Sequence, residues 1–258
     1  MSGESLSLAV TGAGGRMGQE VIAAAADREG VAVAVAVNRT PTDPVAGVAV
    51  EDADRLDELI ATAEPDVLVD FTGPESAVSY AETCADAGVP MVTGTTGFSE
   101  PQLDALTAAS ESIPVLKAPN FARGVAALRR AVRTAAAALP GYDVEVTETH
   151  HNAKRDAPSG TAASILDDVE SVREDLDERV HGREGDAPRE AGEIGVHARR
   201  AGDVTGEHEV LLAGNREVVE LTHRAGDRGV FAEGALDAAD WLADRDPGWY
   251  GFGDVLDA

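Results

Sequence analysis

The feature that most restricts the fold is a glycine turn set between an apolar run and a helical stretch. Leu6–Val10 is apolar but for Ser7 and short enough for one strand. It leads into Thr11-Gly12-Ala13-Gly14-Gly15-Arg16-Met17-Gly18 and then an Ala-rich helix to about Ala26. Glycine lets the backbone turn tightly and approach a pyrophosphate, whose charge rests on the helix N-terminus. The spacing is G-x-x-G-x-x-G, through Gly12, Gly15 and Gly18, because Met17 takes the third place of the strict G-x-G-x-x-G. A glycine pattern alone is weak, but a strand before it and a helix after it give it weight.

The context extends well past that loop. Val31–Val37, Asp66–Phe71, Val89–Thr93 and Ile113–Lys117 read as further strands. Helical stretches at Arg55–Ala63, Pro74–Ala87 and Glu100–Ser110 separate them. Continuous apolar strands alternating with helices predict a parallel sheet covered on both faces, a doubly wound Rossmann-type α/β domain over residues 1–121. The rhythm changes near Asn120. A long helix over Ala122–Leu139 precedes strand-like runs at Tyr142–Thr149, Ile194–Arg200, Glu207–Ala213 and Glu217–Arg224. These predict a second, α+β domain over 122–229 with a mixed or antiparallel sheet. The charge-rich segment Ser171–Glu193 reads as a partly helical surface insertion. A helix at Val230–Leu242 and the tail, 230–258, are expected to return to the first domain.

Composition narrows the partners. Lys and Arg number 21 against 47 Asp and Glu, a net charge of −26, which argues against nucleic acid or an anionic membrane. Only Lys117 and Lys154 are lysines. An acidic, Lys-poor chain resembles the proteins of salt-accumulating halophiles, where dense salt screens carboxylate repulsion. The single cysteine, Cys84, excludes an intrachain disulfide and reads as small core filler. No basic leader precedes Leu6–Val10 and no run is long enough to span a membrane, so the expected location is the cytoplasm.

Ligands of open α/β sheets bind beyond the carboxyl ends of the strands. Three more loops fall there: Asp70-Phe71-Thr72-Gly73-Pro74, Gly94-Thr95-Thr96-Gly97-Phe98 and Ala118-Pro119-Asn120-Phe121. The first two offer Gly for close approach, and all three offer Thr or Asn for hydrogen bonds and a Phe as a flat wall for a nicotinamide ring. About 20 residues past the glycines, where an NAD site usually offers Asp or Glu, stands Asn38. Arg39 beside it can pair with a 2′-phosphate, which predicts use of NADPH at least as readily as NADH.

The segment His150-His151-Asn152-Ala153-Lys154-Arg155-Asp156-Ala157-Pro158-Ser159-Gly160-Thr161-Ala162 gathers positive groups in an acidic chain. It suits a small dianion. Ser159 is a candidate N-cap, and the backbone N–H groups after it can hold a carboxylate. His is a general acid near neutral pH, and Lys a proton donor or charge partner. The six histidines lack a zinc-type spacing and no cysteine pair accompanies them, so no metal is expected.

Taken in order, GAGGRMG (Gly12–Gly18), DFT (Asp70–Thr72), GTTGF (Gly94–Phe98), APNF (Ala118–Phe121), HHNAKRDAPSGTA (His150–Ala162), RAGDVTGEH (Arg200–His208) and ELTHRA (Glu220–Ala225) resemble dihydrodipicolinate reductases. The resemblance spans nearly the whole chain. It implies hydride transfer from NADPH or NADH to a dihydropyridine dicarboxylate in the diaminopimelate route to lysine, by a homotetramer joined through its second-domain sheets. It also implies His150 as proton donor or acceptor and Lys154 as proton donor. His151, Gly160 and Thr161 would bind substrate, with Ser159 lining the pocket. Gly12, Ala13, Gly14, Gly15, Arg16, Met17, Gly94, Thr95, Thr96, Ala118, Pro119, Asn120 and Phe121 would hold the cofactor. Asn38 departs from the family's common acidic residue. Another two-domain NAD(P)-dependent amino-acid dehydrogenase, or a non-catalytic dinucleotide sensor, would share the glycine loop without needing the His–Lys segment.

Overall fold

The computed structural model describes residues 5–40 and 42–256. The chain opens with strand β1 (Leu6–Thr11), helix α1 (Arg16–Asp27), β2 (Val31–Asn38) and a short β3 (Glu51–Asp52). There follow α2 (Leu56–Ala63), β4 (Val67–Asp70), α3 (Pro74–Ala87), β5 (Met91–Thr93), α4 (Glu100–Ser110) and β6 (Pro114–Lys117). Local chemistry fixes the helix ends. Pro74 opens α3, where a missing N–H costs nothing, and Gly88 closes it at φ 71°. Ser99 and Gln102 form a reciprocal capping box on α4.

The second part comprises α5 (Arg123–Ala138), β7 (Asp143–His150), α6 (Gly160–Glu170), β8 (Glu178–His181), β9 (Glu193–Arg200), β10 (Glu207–Gly214) and β11 (Glu217–Arg224). The chain ends with α7 (Gly229–Leu242), β12 (Gly248–Tyr250) and α8 (Phe252–Val255). Two compact units result. One runs to Ala122 and resumes at Arg228; the other is Arg123–Asp227.

The first unit holds a seven-stranded sheet in the order β12-β6-β5-β4-β1-β2-β3, parallel throughout. The C-terminal strand β12 pairs with β6, so the tail completes this sheet. The helix α7 packs on α1, where Arg28 bonds Asp237 at 2.9 Å. Leu68, Met91, Leu106, Ile113 and Val115 build one core cluster, and Cys84 lies fully buried within it.

The second unit holds a five-stranded sheet in the order β11-β10-β7-β9-β8. It is mixed: β10 runs antiparallel to β7 and β11, while β7, β9 and β8 are parallel. Its inner face, with Val144, Val146, Ile194, Val210 and Leu212, packs with Leu128, Ile165 and Leu166 of α5 and α6.

The segment Ser171–Glu193 lies largely on the surface, as its charge predicted, but it is not partly helical. It contains the edge strand β8 and no helix. Part of its charge is paired. Arg173, 3% exposed, bonds Asp175 and the carbonyls of Leu139 and Tyr142, and Arg179 bonds Glu170 and Asp167. Ion pairs across short loops let a charged sequence run as an ordered edge.

Candidate functional site

The glycine loop needs its glycines. Gly12 has φ 73°, and a Cβ there would stand 2.7 Å from the Phe71 carbonyl oxygen. A Cβ on Gly18 would stand 2.2 Å from the Gly12 oxygen, so α1 can press onto the turn only without a side chain. The N–H groups of Arg16 and Met17, first in α1, have no carbonyl inside the helix to bond. Gly15 caps that helix without a side chain, and no acidic residue sits in its first turn. Such an end fits an anionic pyrophosphate. The Ala13 N–H is occupied by the Val37 carbonyl at 3.1 Å and that of Gly15 by Gly12 at 2.8 Å, so these two residues shape the turn.

At the end of β2, the Asn38 amide bonds the Thr40 carbonyl at 2.7 Å and closes against Gly14. Arg39 is exposed and lines a cavity of about 470 Å³ with Ser76, Ser79 and Tyr80 of α3. Asp54, Asp57 and Glu75 share that lining, a concentration of carboxylate the sequence did not place beside Arg39.

The loops after β4, β5 and β6 stand at neighbouring strand ends. Thr95 bonds back to the Thr72 N–H at 3.1 Å, and the Ala118 N–H to the Thr93 carbonyl at 3.1 Å. The Asn120 side chain accepts from the Ala122 N–H at 2.8 Å. Phe121 corrects an expectation. Its ring is 1% exposed and packs edge-on between Phe71 and Phe252, with centroids 5.7 and 5.4 Å away. It is a core residue, not a wall for a nicotinamide. Phe98 is likewise part-buried against the core, with the Lys117 ammonium 5.7 Å from its ring centre.

In the second unit, β7 ends on His150 and the His–Lys loop runs to α6. The loop is pinned where the Asn152 N–H meets the Gly202 carbonyl and the Ala201 N–H meets that of His150. His150 Nδ1 lies 2.5 Å from Glu148 Oε2. Glu148, 1% exposed, also accepts both terminal nitrogens of Arg200 at 2.8 Å and the Ser159 N–H at 3.1 Å. Burial works against the Glu148 charge, but the hydrogen bonds from Arg200 and His150 outweigh it and hold its carboxyl below the usual range. For His150, burial is the largest influence and lowers its pKa; Glu148 opposes that, while the Lys154 and Arg200 charges add to it. The ring is therefore neutral near pH 7, with its proton on Nδ1 toward Glu148 and Nε2 open to accept. Gly206 leaves room at that nitrogen: a Cβ there would approach Nε2 to 3.0 Å.

Lys154 pairs with Asp156 at 2.9 Å, and His151 lies part-exposed on the same loop. Ser159 caps α6 by accepting the Ala162 N–H at 3.1 Å, and its hydroxyl shares a hydrogen bond with His208 Nε2 at 3.2 Å. The His208 ring stands edge-on to that of His150, with centroids 5.2 Å apart, and burial pushes its pKa down to about 4. Gly160 and Thr161 form the first two positions of the capped helix.

Glu148, Arg200 and His208 were not singled out from sequence as site residues. A signal existed for the first: Glu148 and His150 stand two apart on a strand and so share a face. Among the described residues no group of three or more His, Cys, Asp or Glu could hold a metal ion. Nor is any helix among them long and apolar enough to cross a membrane.

Residues 6–121 match the family model described as dihydrodipicolinate reductase, N-terminus, and residues 124–256 the one described as dihydrodipicolinate reductase, C-terminus. The chain is 55% identical to 4-hydroxy-tetrahydrodipicolinate reductase of Haloarcula marismortui, over 97% of this chain and 99% of the relative. It is 53% identical to the protein of that name from Natronomonas pharaonis, over 97% and 100%. A dipicolinate-bound dihydrodipicolinate reductase from Paenisporosarcina sp. TG-14 superimposes with TM-score 0.79 at 28% identity, covering 97% of this chain and 99% of that one. An amine dehydrogenase from Mycobacterium smegmatis, 16% identical with TM-score 0.65 over 96% and 95%, shares the fold.

Proposed function

The chain belongs to the dihydrodipicolinate reductase family, and on that premise we propose that it reduces the dihydropyridine dicarboxylate derived from 4-hydroxy-tetrahydrodipicolinate to tetrahydrodipicolinate. That reaction is a step of the diaminopimelate route to lysine. The observation that carries the reading is the loop of His150, His151 and Lys154, braced by the buried Glu148 and its partner Arg200.

The first unit is a dinucleotide-binding Rossmann domain. Backbone at Gly12, Gly14, Arg16 and Met17 holds the pyrophosphate, with Ala13 and Gly15 shaping the turn. Gly94, Thr95, Thr96, Ala118, Pro119 and Asn120 line the nicotinamide end, to which Phe121 contributes backbone alone. Arg39 pairs with a 2′-phosphate, while Asp54, Asp57 and Glu75 around it weaken that attraction, so both NADPH and NADH serve. The bound nicotinamide supplies the hydride.

In the second unit, His151, Lys154 and the α6 N-terminus at Gly160 and Thr161 hold the ring carboxylates. Ser159 acts by capping that helix, since its hydroxyl is engaged at both ends. Negative charge builds on the ring as it is reduced, and the Lys154 ammonium donates the proton that meets it. A carboxylate arriving near His150 raises the pKa of the neutral imidazole, so its Nε2 takes up a proton and becomes a donor to the substrate.

The protein is read as cytoplasmic and as a homotetramer joined through the second unit's sheet, whose outer face exposes Val218 at 59%. Its charge of −26 supports adaptation to high salt, which a melting curve rising from low to molar KCl would bear out and a flat one would refute.

Absorbance at 340 nm, followed after adding enzymatically made substrate, tests the reaction. Loss of NADPH absorbance only with the dicarboxylate present is expected. Binding of NADPH without turnover would indicate a dinucleotide sensor, and turnover of amino acids instead would indicate a dehydrogenase of another kind.

A further inference from the structure

The first unit buries a charge that none of the cofactor contacts above uses. Asp70, the last residue of β4, is fully buried. Its Oδ1 accepts the hydroxyls of Thr11 at 2.8 Å and Thr72 at 2.6 Å. Its Oδ2 accepts those of Thr93 and Thr95, both at 2.7 Å. These four bonding partners are neutral. Thr11 and Thr93 sit in register with Asp70 on the two neighbouring strands, β1 and β5, while Thr72 and Thr95 lie on the loops beyond β4 and β5.

The bonds have a direction. Each hydroxyl gives its proton to the carboxylate, which frees its lone pairs for backbone donors. Thr95 Oγ1 accepts the Thr72 N–H at 3.1 Å, and Thr93 Oγ1 accepts the Thr95 N–H at 3.2 Å. The Asp70 carbonyl also takes the Gly94 N–H at 2.9 Å. A fold needing only a filled core would place apolar residues here, because burying a carboxylate without a cation is costly.

We infer that Asp70 is a positioning residue for the cofactor, its carboxylate orienting Thr72 and Thr95 so that the loops after β4 and β5 hold the shape that receives the nicotinamide end. This rests on the cofactor reading of the first unit given above. An amide in its place would present a donor to one pair of hydroxyls. Those hydroxyls would turn to accept, and their own protons would find no acceptor in the buried site.

The test is Asp70→Asn in the full chain, with NADPH affinity read from cofactor fluorescence and kinetics read at saturating cofactor. Kd and KM for NADPH are expected to rise about tenfold. The kcat at saturating NADPH and the KM for the dicarboxylate should stay within about twofold of wild type. General loosening of the protein would move all of them. Because Asp70 acts through Thr95, the Asp70→Asn/Thr95→Val double variant should bind NADPH no worse than the poorer single variant. Wild-type affinity in folded Asp70→Asn, or losses that multiply in the double variant, would overturn the inference. Should Asp70→Asn fail to fold, Thr93→Val replaces it: weaker NADPH binding is expected and unchanged binding overturns. Absence of NADPH binding by the wild-type protein would fell the cofactor reading itself, and this inference with it. Wild-type binding with an unaltered Asp70→Asn sinks the inference alone.

Discussion

Each unit buries a carboxylate under its candidate site, and the two are satisfied by different chemistry. Asp70 in the first unit is bonded by four threonine hydroxyls. Glu148 in the second is bonded by a guanidinium, an imidazole and a backbone N–H. Threonine does not titrate near neutral pH, so the first arrangement fixes geometry without a partner that changes charge. The second is coupled to a ring that titrates, so geometry and proton state change together. A dinucleotide held mainly by backbone asks for the first kind of support. A dicarboxylate that gains a proton asks for the second.

The sharpest way to break this contrast is Lys154→Ala. Loss of a positioned acid costs on the order of 10² to 10⁴ in rate. That drop is expected in kcat, with the NADPH Kd unchanged, because the proposal gives Lys154 the proton transfer and no part in holding the cofactor. Full activity, or an equal loss of NADPH affinity, would erase the distinction.

The next effect is on stability. Burial pushes His208 from its usual 6.5 down to about 4, so the unfolded chain binds its proton more readily than the folded one. Its contribution is complete above about pH 6.5 and is lost as pH falls toward about 4, roughly 2 kcal/mol by about pH 5. Urea unfolding at about pH 7 and about pH 5 should show that loss in the wild type and a smaller one in His208→Gln. An identical loss in the two proteins would remove His208 from the titrating network.

The third effect belongs to the first unit and involves no proton near neutrality. Arg39→Ala should raise the KM for NADPH about tenfold and that for NADH much less, since one charged hydrogen-bonded pair is lost. Equal effects on the two cofactors would refute the 2′-phosphate assignment.

The sequence displays the first of these arrangements only in part. Strands β1 and β4 are legible because strands buried on both faces read as near-continuous apolar runs, and Gly12 because a turn with positive φ tolerates little else. The Asp70 knot is hidden because Thr11 and Thr95 lie 59 and 25 residues from it, and only the sheet brings them together. In the second unit, the His–Lys loop is legible because its positive groups are contiguous in an acidic chain. Its brace is not, because Arg200 reaches Glu148 across 52 residues, and a Glu within an alternating strand reads as a solvent-facing residue. The error over Phe121 has the same origin. A phenylalanine after a strand end suits a ligand wall or a core equally, and the packing of Phe252 from the C-terminal end decides it.

Crystals of the protein grown with a pyridine dicarboxylate test most directly whether the acidic molecule concentrates its positive groups to grip such a ring. The expected map shows one carboxylate at the start of α6, by Gly160 and Thr161, and the ring within hydrogen-bonding reach of His150, His151 and Lys154. Density for the compound anywhere else on the protein, with that loop left as it stands, would contradict it.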